Sequence, residues 1–411
     1  MPEFCLYVEP AQEALLSRTH VARSRKSTSS IRSLEVVLTT ACNLRCAYCY
    51  QDLRTDRSMG WPVLRSALDL ILDSDHPQPE LTFYGGEPLL ELPLIMRAVE
   101  HLETTSAAGR RVGVTVFTYG MLLDRGTARY LARHRIDTQI SCDGVEAAQN
   151  LRAPGTYRRL DRALVGLKDE FPDFFRDRCS VAITVSSRNL VHLAESFASL
   201  VERGVGEIAP APVVTHDPGW HPGTLELLAD QLEEISRLSI EHFRATGEVP
   251  FAPFQKNEVV DSHEDRGSAM CGAVTARDPT VDVDGQVYGC VLFAESYQTI
   301  PDGLLTDCLE PMRLGDLRAP GFDRRLEGYP AAARAAGIFT DKHEKYSSYR
   351  RCEGCRYLHA CSVCPASIGH IPGNTDPLRV PDLQCAFNLA VLTARERFLE
   401  ATEGTRATTG A

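Results

Sequence analysis

Short apolar segments alternate with longer amphipathic segments through the first half of the chain. The apolar segments have strand length and are rich in β-branched residues, and the amphipathic ones repeat their apolar positions at helical spacing. The predicted strands are 34–40, 80–84, 112–118, 136–142, 179–186 and 206–214. The predicted helices are 61–74, 92–106, 125–134, 157–169 and 191–203. Repeated strand–helix units predict an α/β fold with a parallel sheet, and six strands indicate an open, partial (β/α)6 barrel that binds ligands at the carboxyl ends of its strands.

Composition narrows the class of protein. The 411 residues are 43% hydrophobic and 24% charged, which is typical of a soluble globular protein. The sequence has neither a membrane-spanning apolar run nor a signal peptide, so we expect a cytoplasmic protein that does not insert in a membrane. The net charge of −11 disfavours a nucleic-acid partner. In such a chain, the 14 cysteines favour metal ligation over disulfides.

Three cysteines follow the first predicted strand with the spacing C-x3-C-x2-C. They are Cys42, Cys46 and Cys49, on a predicted loop. Thiolates select zinc, copper(I) or iron–sulfur clusters, and a closed zinc site needs a fourth ligand that no nearby Cys or His supplies. An iron–sulfur cubane held by three cysteines instead keeps one iron open for a substrate or cofactor. The alternatives are a zinc knuckle or three unrelated buried cysteines.

This loop, with Tyr48 just before its third cysteine, resembles the signature of the radical S-adenosylmethionine (SAM) enzymes. The resemblance implies that the amine and carboxylate of SAM chelate the open iron of a 4Fe-4S cluster. An injected electron then cleaves SAM to a 5'-deoxyadenosyl radical. It also places Tyr48 among the cofactor-binding residues.

Two further segments resemble SAM-binding motifs of that family. Gly85, Gly86 and Glu87 end the second predicted strand and resemble the motif that binds the SAM amino group. Ser141 ends the fourth strand and, with Arg152, matches positions that hold the SAM carboxylate. A guanidinium suits this role because it donates two charge-assisted hydrogen bonds to a carboxylate. The alternatives are an ordinary turn and a surface loop with a solvated arginine.

A second cysteine set lies in the C-terminal third and resembles the SPASM extension of radical SAM enzymes. The resemblance implies two auxiliary 4Fe-4S clusters. The first is assigned to Cys271, Cys290 and Cys364. The second is assigned to Cys352, Cys355, Cys361 and Cys385. The two C-x2-C pairs are also compatible with structural zinc.

The sequence departs from the family pattern at three places. Cys364 ends a C-x2-C where relatives have C-x3-C, and Arg277 stands where some members have a fourth ligand to the first auxiliary cluster. That cluster then has an open iron, or borrows Cys308 or a carboxylate such as Asp278. Val291 follows Cys290 where sulfatase-maturing relatives have a catalytic Asp, which argues against formylglycine formation with that base.

The domain organisation follows from these assignments. We expect an N-terminal extension, a radical SAM partial barrel, a bridging helix with a linker, a small SPASM domain and a C-terminal helix end with a tail. Their predicted bounds are 1–33, 34–215, 216–265, 266–390 and 391–411. The 33-residue extension is too short for a leader-peptide-binding domain, so leader binding is expected to use a separate protein or the SPASM surface, or no leader is needed.

The resemblance implies an oxidoreductase with SAM and three 4Fe-4S clusters as cofactors. The first hypothesis is a maturase that abstracts hydrogen from a ribosomally made precursor peptide and installs a C–C, C–S or C–O cross-link. Its electron donor would be of the flavodoxin or ferredoxin type. Two alternatives remain, a radical SAM dehydrogenase of a small molecule such as a sugar or aminoglycoside, and a non-catalytic iron–sulfur or zinc protein. The catalytic acid and base residues are not identified.

Overall fold

The computed structural model describes residues 31–106, 110–255, 271–335 and 337–406. Nearly all of the predicted N-terminal extension lies outside this part of the chain. Most of the polar linker predicted after residue 250 also lies outside it.

In the described residues, nine strands form one sheet in the order β6-β5-β4-β3-β2-β1-β7-β8-β9. The strands that form the barrel are β1 (Ser33–Thr39), β2 (Glu80–Gly85), β3 (Gly113–Thr118), β4 (Asp137–Ser141), β5 (Cys179–Val185) and β6 (Ile208–Pro212). The C-terminal strands are β7 (Thr280–Val281), β8 (Gln286–Tyr288) and β9 (Arg313–Asp316). β1 to β6 pair in parallel with their neighbours, which confirms the predicted α/β partial barrel.

The helices follow the strands in the order that a parallel sheet requires. The helices of the barrel are α1 (Trp61–Leu72), α2 (Leu92–Thr105), α3 (Arg125–Arg133), α4 (Glu146–Arg152), α5 (Tyr157–Glu170), α6 (Pro172–Arg178) and α7 (Leu193–Glu202). The later helices are α8 (Pro222–Thr246), α9 (Leu304–Met312), α10 (Phe322–Arg334), α11 (Ala366–Gly369) and α12 (Asp382–Arg406). None of the described helices has the length and apolar character needed to cross a membrane.

The C-terminal cysteine region continues the barrel's own sheet. β7 pairs in parallel with β1, and β7 and β8 form an antiparallel hairpin. An Asp-Gly turn joins the two strands of this hairpin, and its Gly285 has φ +94°, a conformation that glycine adopts without strain. β1 is therefore an interior strand with the barrel on one side and the cysteine-rich region on the other.

The two longest helices, α8 and α12, pack against each other at the C-terminal end of the chain. Phe398 of α12 is fully buried and stacks on Phe254, with ring centroids 5.2 Å apart. It also meets Phe243 of α8 edge-on at 5.9 Å. Ser236 donates a hydrogen bond of 3.2 Å to the Ala394 carbonyl across the same interface. This apolar contact joins the end of the cysteine-rich region to the barrel.

We predict that Phe398→Ala lowers the free energy of unfolding by about 3–5 kcal/mol, because it removes a buried aromatic ring and leaves a cavity. Urea denaturation followed by circular dichroism measures the change. Val165→Ala, at a side chain that is 45% exposed, is the matched control and should change stability by less than about 0.5 kcal/mol. Equal losses in the two variants would contradict the packing role of Phe398.

Candidate functional site

The loop after β1 brings Cys42, Cys46 and Cys49 close enough together for the charge of one thiolate to affect the others. Burial raises the pKa of the Cys42 and Cys49 thiols, and the charge of the Cys46 thiolate adds to both rises. The loop is tied at its base, since the Gln51 side chain donates a hydrogen bond of 2.6 Å to the Thr40 carbonyl. Three mutually interacting thiols on a tethered loop suit a thiolate-ligated cluster.

The Gly85–Gly86 turn at the end of β2 lies directly against this loop. A Cβ atom on Gly86 would lie 2.2 Å from the Ala41 carbonyl oxygen and 2.9 Å from the Cys42 Cβ. The Gly85 backbone has φ +146°, and a Cβ there would lie 2.4 Å from the Thr39 oxygen. Only glycine fits at these two positions, so the sequence fixes the distance between the two strand ends.

The Glu87 side chain is fully buried, and its carboxylate is hydrogen-bonded to other residues of the protein. Its carboxylate accepts hydrogen bonds from the Thr118 hydroxyl at 2.9 and 3.0 Å, from the Tyr119 amide at 3.0 Å and from the Leu89 amide at 2.9 Å. Burial raises its pKa to about 7, and these donors oppose the rise. The side chain therefore ties the end of β2 to the end of β3. Its predicted role toward the SAM amine stays a prediction.

Arg152 lies beside the cysteine loop at the end of α4. Its side chain is 8% exposed, and its Nη1 donates a hydrogen bond of 3.2 Å to Asp143 Oδ1. The guanidinium lies over the Tyr48 ring at 5.4 Å, and the Tyr48 hydroxyl donates to the same Asp143. Within the described residues, the buried Arg152 Nε has no hydrogen-bond partner. An enclosed, unused donor of this kind suits an anionic ligand.

The remaining motif residue, Ser141, is the last residue of β4 and lies two positions before Asp143. The structure thus places Tyr48 and Arg152 together on one carboxylate, with Ser141 at the adjoining strand end. Sequence reasoning missed Asp143 as a site residue. The only signal for it was its place in the Ser-Cys-Asp-Gly segment that ends β4.

Cys271, Cys290 and Cys364 come together although they are distant in sequence. Burial raises the pKa of Cys290 well above its usual value, and its charged neighbours are Glu35, Cys364 and Cys271. Burial likewise raises the pKa of Cys364 to about 12, with Cys271 adding to the rise. These three thiols form the group that the resemblance assigned to the first auxiliary cluster.

The two candidate fourth ligands of that group have other neighbours. Asp278 is paired with Arg32 through two hydrogen bonds of 2.7 and 2.9 Å. The charged residues that most affect the pKa of Cys308, after burial, are Asp307 and Lys345. Neither residue is therefore a free ligand beside Cys290 in this structure.

The other four cysteines line a cavity in the C-terminal region. The cysteines are Cys352, Cys355, Cys361 and Cys385. Burial raises the pKa of Cys352 to about 11 and that of Cys361 to about 12, and the neighbouring thiolates add to both rises. Four thiols around one enclosed space fit the second auxiliary cluster. Among the described residues, no group of three or more His, Cys, Asp or Glu side chains is arranged to hold a single metal ion.

Polar side chains line the same cavity or contact its cysteines, and sequence reasoning missed them. Ser347 donates a hydrogen bond of 3.1 Å to the Cys385 sulfur, and Arg350 Nη1 lies 3.7 Å from the Cys355 sulfur. Lys342 and Lys345 are buried and complete a set of three cations on its wall. Burial lowers the pKa of Lys345 to about 8.

Three tyrosines occupy the space between the barrel cysteines and Cys290. The Tyr50 and Tyr84 hydroxyls are hydrogen-bonded to each other, and the Tyr297 hydroxyl donates a bond of 2.8 Å to the Gly85 carbonyl. The Tyr297 ring centroid is 5.6 Å from that of Tyr50 and 6.1 Å from that of Tyr84. These phenols pack the cysteine-rich region onto the mouth of the barrel.

A cleft of about 660 Å³ lies between the segment after β6 and the segment before α12. His216, Asp217, Trp220 and His370 contribute polar groups to its wall. Burial lowers the pKa of His370, and the charge of Asp52, three residues after Cys49, opposes the shift. His370 therefore lies near enough to the segment after the cysteine loop for the charge of Asp52 to affect it.

Comparisons with known proteins agree with this arrangement. Residues 31–157 match the family model described as a 4Fe-4S single cluster domain. The chain is 28% identical over 184 residues to an uncharacterized protein of Methanocaldococcus jannaschii and 27% identical over 177 residues to the cysteine-type anaerobic sulfatase-maturating enzyme of Clostridium perfringens. These alignments cover 44% and 40% of this chain and 62% and 46% of the two relatives, so the chain spans about half the length of the curated relatives that it matches.

One further relative has a different activity. The GTP 3',8-cyclase of Xanthomonas campestris is 24% identical over 296 residues, which cover 66% of this chain and 82% of the relative.

Two solved structures share the fold over most of the chain. anSMEcpe with bound AdoMet and the Kp18Cys peptide has a TM-score of 0.67 and 17% identity, with 92% of this chain and 98% of that chain covered. Streptococcus suis SuiB bound to the precursor peptide SuiA has a TM-score of 0.55 and 16% identity, with 93% and 82% covered. With its partial barrel, its match to a 4Fe-4S single cluster domain and its cysteine-rich C-terminal region, the chain is similar to the radical SAM enzymes that carry a SPASM-type extension.

Proposed function

We propose that this radical SAM enzyme oxidatively modifies a ribosomally made peptide and installs a cross-link. The observation that carries the proposal is the grouping of ten cysteines into sets of three, three and four within one fold. A set of three thiolates leaves one iron of a cubane open to SAM. The two further cysteine sets would hold clusters that accept an electron from the substrate. Oxidation of the substrate requires such an acceptor.

The residues of the barrel end have separate roles in this proposal. Cys42, Cys46 and Cys49 would hold the SAM-binding cluster, which supplies reductive cleavage of SAM to a 5'-deoxyadenosyl radical when both are bound. The Gly85–Gly86 turn holds the loop at a fixed distance, and its main chain would face the SAM amine. Tyr48, Ser141 and Arg152 line the side on which the SAM carboxylate would bind, where the unpartnered Arg152 Nε is a donor for it.

A peptide substrate is supported by the cleft and by the structural neighbours. SuiB is bound to a precursor peptide and anSMEcpe to the Kp18Cys peptide, and both cover more than nine-tenths of this chain. The cleft lined by His370 is open to solvent, as a binding site for an extended peptide must be. The buried apolar Val291 after Cys290 offers no base for formylglycine formation. A flavodoxin- or ferredoxin-type protein would supply electrons.

A second candidate function is oxidation or rearrangement of a small molecule. It is favoured by the alignment with GTP 3',8-cyclase, which covers a larger share of this chain than the alignment with the sulfatase-maturating enzyme. The two candidate functions share the radical chemistry at the barrel and differ in the substrate that enters the cleft.

We predict that Cys46→Ala removes one cluster of three. Reconstituted wild-type protein should hold about twelve irons per chain and the variant about eight, at four per cubane. The variant should also form no 5'-deoxyadenosine from SAM under anaerobic reduction. Iron and sulfide analysis with chromatography of the nucleoside measures both. Cys179→Ala, at a buried thiol of β5, is the control and should keep full iron. SAM cleavage by a Cys46→Ala protein would exclude the assigned cluster.

We predict that Gly86→Ala displaces the cysteine loop, because its Cβ overlaps the Ala41 carbonyl. The variant should lose about four irons per chain, one cubane, while the C-terminal sets stay filled. Gly166→Ala in α5 is the matched control, since a Cβ there meets nothing within 4 Å, and it should stabilise the fold by about 0.4–1 kcal/mol. Full iron content in Gly86→Ala would show that the turn does not set the loop position.

We predict that a precursor peptide encoded next to this gene loses two hydrogens on reaction with the reconstituted enzyme and SAM. A cross-link removes one hydrogen from each of the atoms that it joins, so tandem mass spectrometry should find the loss spread over two residues. The Cys46→Ala protein is the control and should leave the mass unchanged. An unchanged peptide mass with wild-type enzyme that still cleaves SAM would favour the small-molecule substrate.

A further inference from the structure

The cleft lined by His370 lies beside the carboxyl ends of the last two barrel strands. Residues 213–217 in its wall directly follow β6. Asp217 among them accepts hydrogen bonds of 2.6 Å from both the amide and the hydroxyl of Ser187, two residues after β5. Because the barrel strands are parallel, the cleft lies at the same end of the sheet as the cysteine loop after β1, the end at which α/β sheets bind ligands.

Hydrogen bonds also tie this end of β5 to the Arg152 guanidinium. Asp143, the ion-pair partner of Arg152, accepts a bond of 3.2 Å from the Thr184 amide and one of 3.3 Å from the Asn189 side chain. These two donors lie within three residues of Ser187, which bonds the cleft wall. The cleft and the proposed SAM carboxylate site are therefore both anchored to the end of β5.

His370 gives the cleft an enclosed nitrogen that the protein itself does not use. The residue lines the cleft, and its Nε2 has no hydrogen-bond partner among the described residues. Burial lowers the pKa of the ring, although the charge of Asp52 opposes the shift. A neutral imidazole has one ring nitrogen that accepts a proton. The side chain is thus suited to bond a substrate group and to take a proton from it.

The carboxylates of the cleft are already engaged. Asp217 accepts a further bond of 3.1 Å from the Gly219 amide, and Asp382 accepts bonds of 2.9 and 2.7 Å from the amide and hydroxyl of Ser348. Of the described residues in the cleft wall, His370 alone has an enclosed side-chain nitrogen or oxygen without a hydrogen-bond partner. His370 is therefore the candidate for a base in this cleft.

We propose that His370 is the general base of the oxidation and takes the proton that the substrate releases. The inference rests on the proposed oxidative function. The substrate loses a hydrogen atom from one carbon to the deoxyadenosyl radical. This carbon then bonds to a second atom of the substrate, which gives its proton to His370 Nε2. The electron that remains passes to an oxidised auxiliary 4Fe-4S cluster, so that the substrate loses two hydrogens in all.

The test compares wild type with His370→Ala, as reconstituted full chains with SAM and the precursor peptide encoded next to this gene, deuterated at carbon. The variant should cross-link the peptide about 100-fold more slowly, a typical contribution of a general base. Because hydrogen abstraction precedes proton transfer, deuterium should still appear in 5'-deoxyadenosine. Mass spectrometry measures both products. His359→Ala is the matched control, since this histidine is exposed and does not line the cleft, and it should leave both unchanged.

Three further measurements separate the loss of a base from a structural defect. Added imidazole should restore cross-linking in His370→Ala. The Kd for the peptide, measured by calorimetry without SAM, should rise by no more than about fivefold, as for the loss of one hydrogen bond. Iron content should equal that of wild type. If it falls, His370→Gln, which retains more side-chain volume, carries the test with the same expected result.

Two results would overturn the proposal in a variant with full iron. One is cross-linking at the wild-type rate, and the other is loss of deuterium transfer together with the cross-link, which would assign His370 to substrate binding. Either result leaves the proposed function standing, because the wild type still modifies the peptide. A wild-type enzyme that cleaves SAM and leaves the peptide unchanged would instead contradict the proposed function, and this proposal with it.

Discussion

The rest of this site depends on the close approach of two backbone segments. These segments are the Gly85–Gly86 turn and the start of the cysteine loop. Because these two residues are glycines and have no side chains, the ends of β1 and β2 contact each other. Glu87 then fixes the end of β2 to the end of β3 through a buried carboxylate. The main chain of the Gly85–Gly86 turn therefore supports the cysteine loop rigidly. A ligand bound at the loop would contact this main chain on one side and Arg152 on the other.

The interior position of β1 extends this constraint to the C-terminal region. Because β7 pairs with the free edge of β1, the first hairpin of the cysteine-rich region starts beside the strand that carries the barrel cysteines. Tyr297 then bonds the Gly85 carbonyl and packs on Tyr50 and Tyr84. The cysteine loop after β1 and the hairpin that leads to Cys290 are thereby parts of one packed unit.

Much of the fold was predictable because parallel strands are buried on both faces and give continuous apolar runs. The predicted strand at 112–118 differs from β3 by one residue, whereas the helices Glu146–Arg152 and Pro172–Arg178 were missed because seven residues show too little periodicity. The cysteine groups were predicted by resemblance and not by spacing. Asp143, Arg350 and the two buried lysines were not predicted, since their roles arise from contacts between segments far apart in sequence.

The central claim is that three thiolates hold a cluster whose fourth iron is left for SAM. Electron–nuclear double resonance on the reduced, reconstituted protein with SAM that is isotope-labelled at its amine tests it most directly. The account predicts a hyperfine coupling between the labelled nitrogen and the cluster, which Cys46→Ala abolishes. A protein with full iron that shows no such coupling, with every iron ligated by protein side chains, would contradict it.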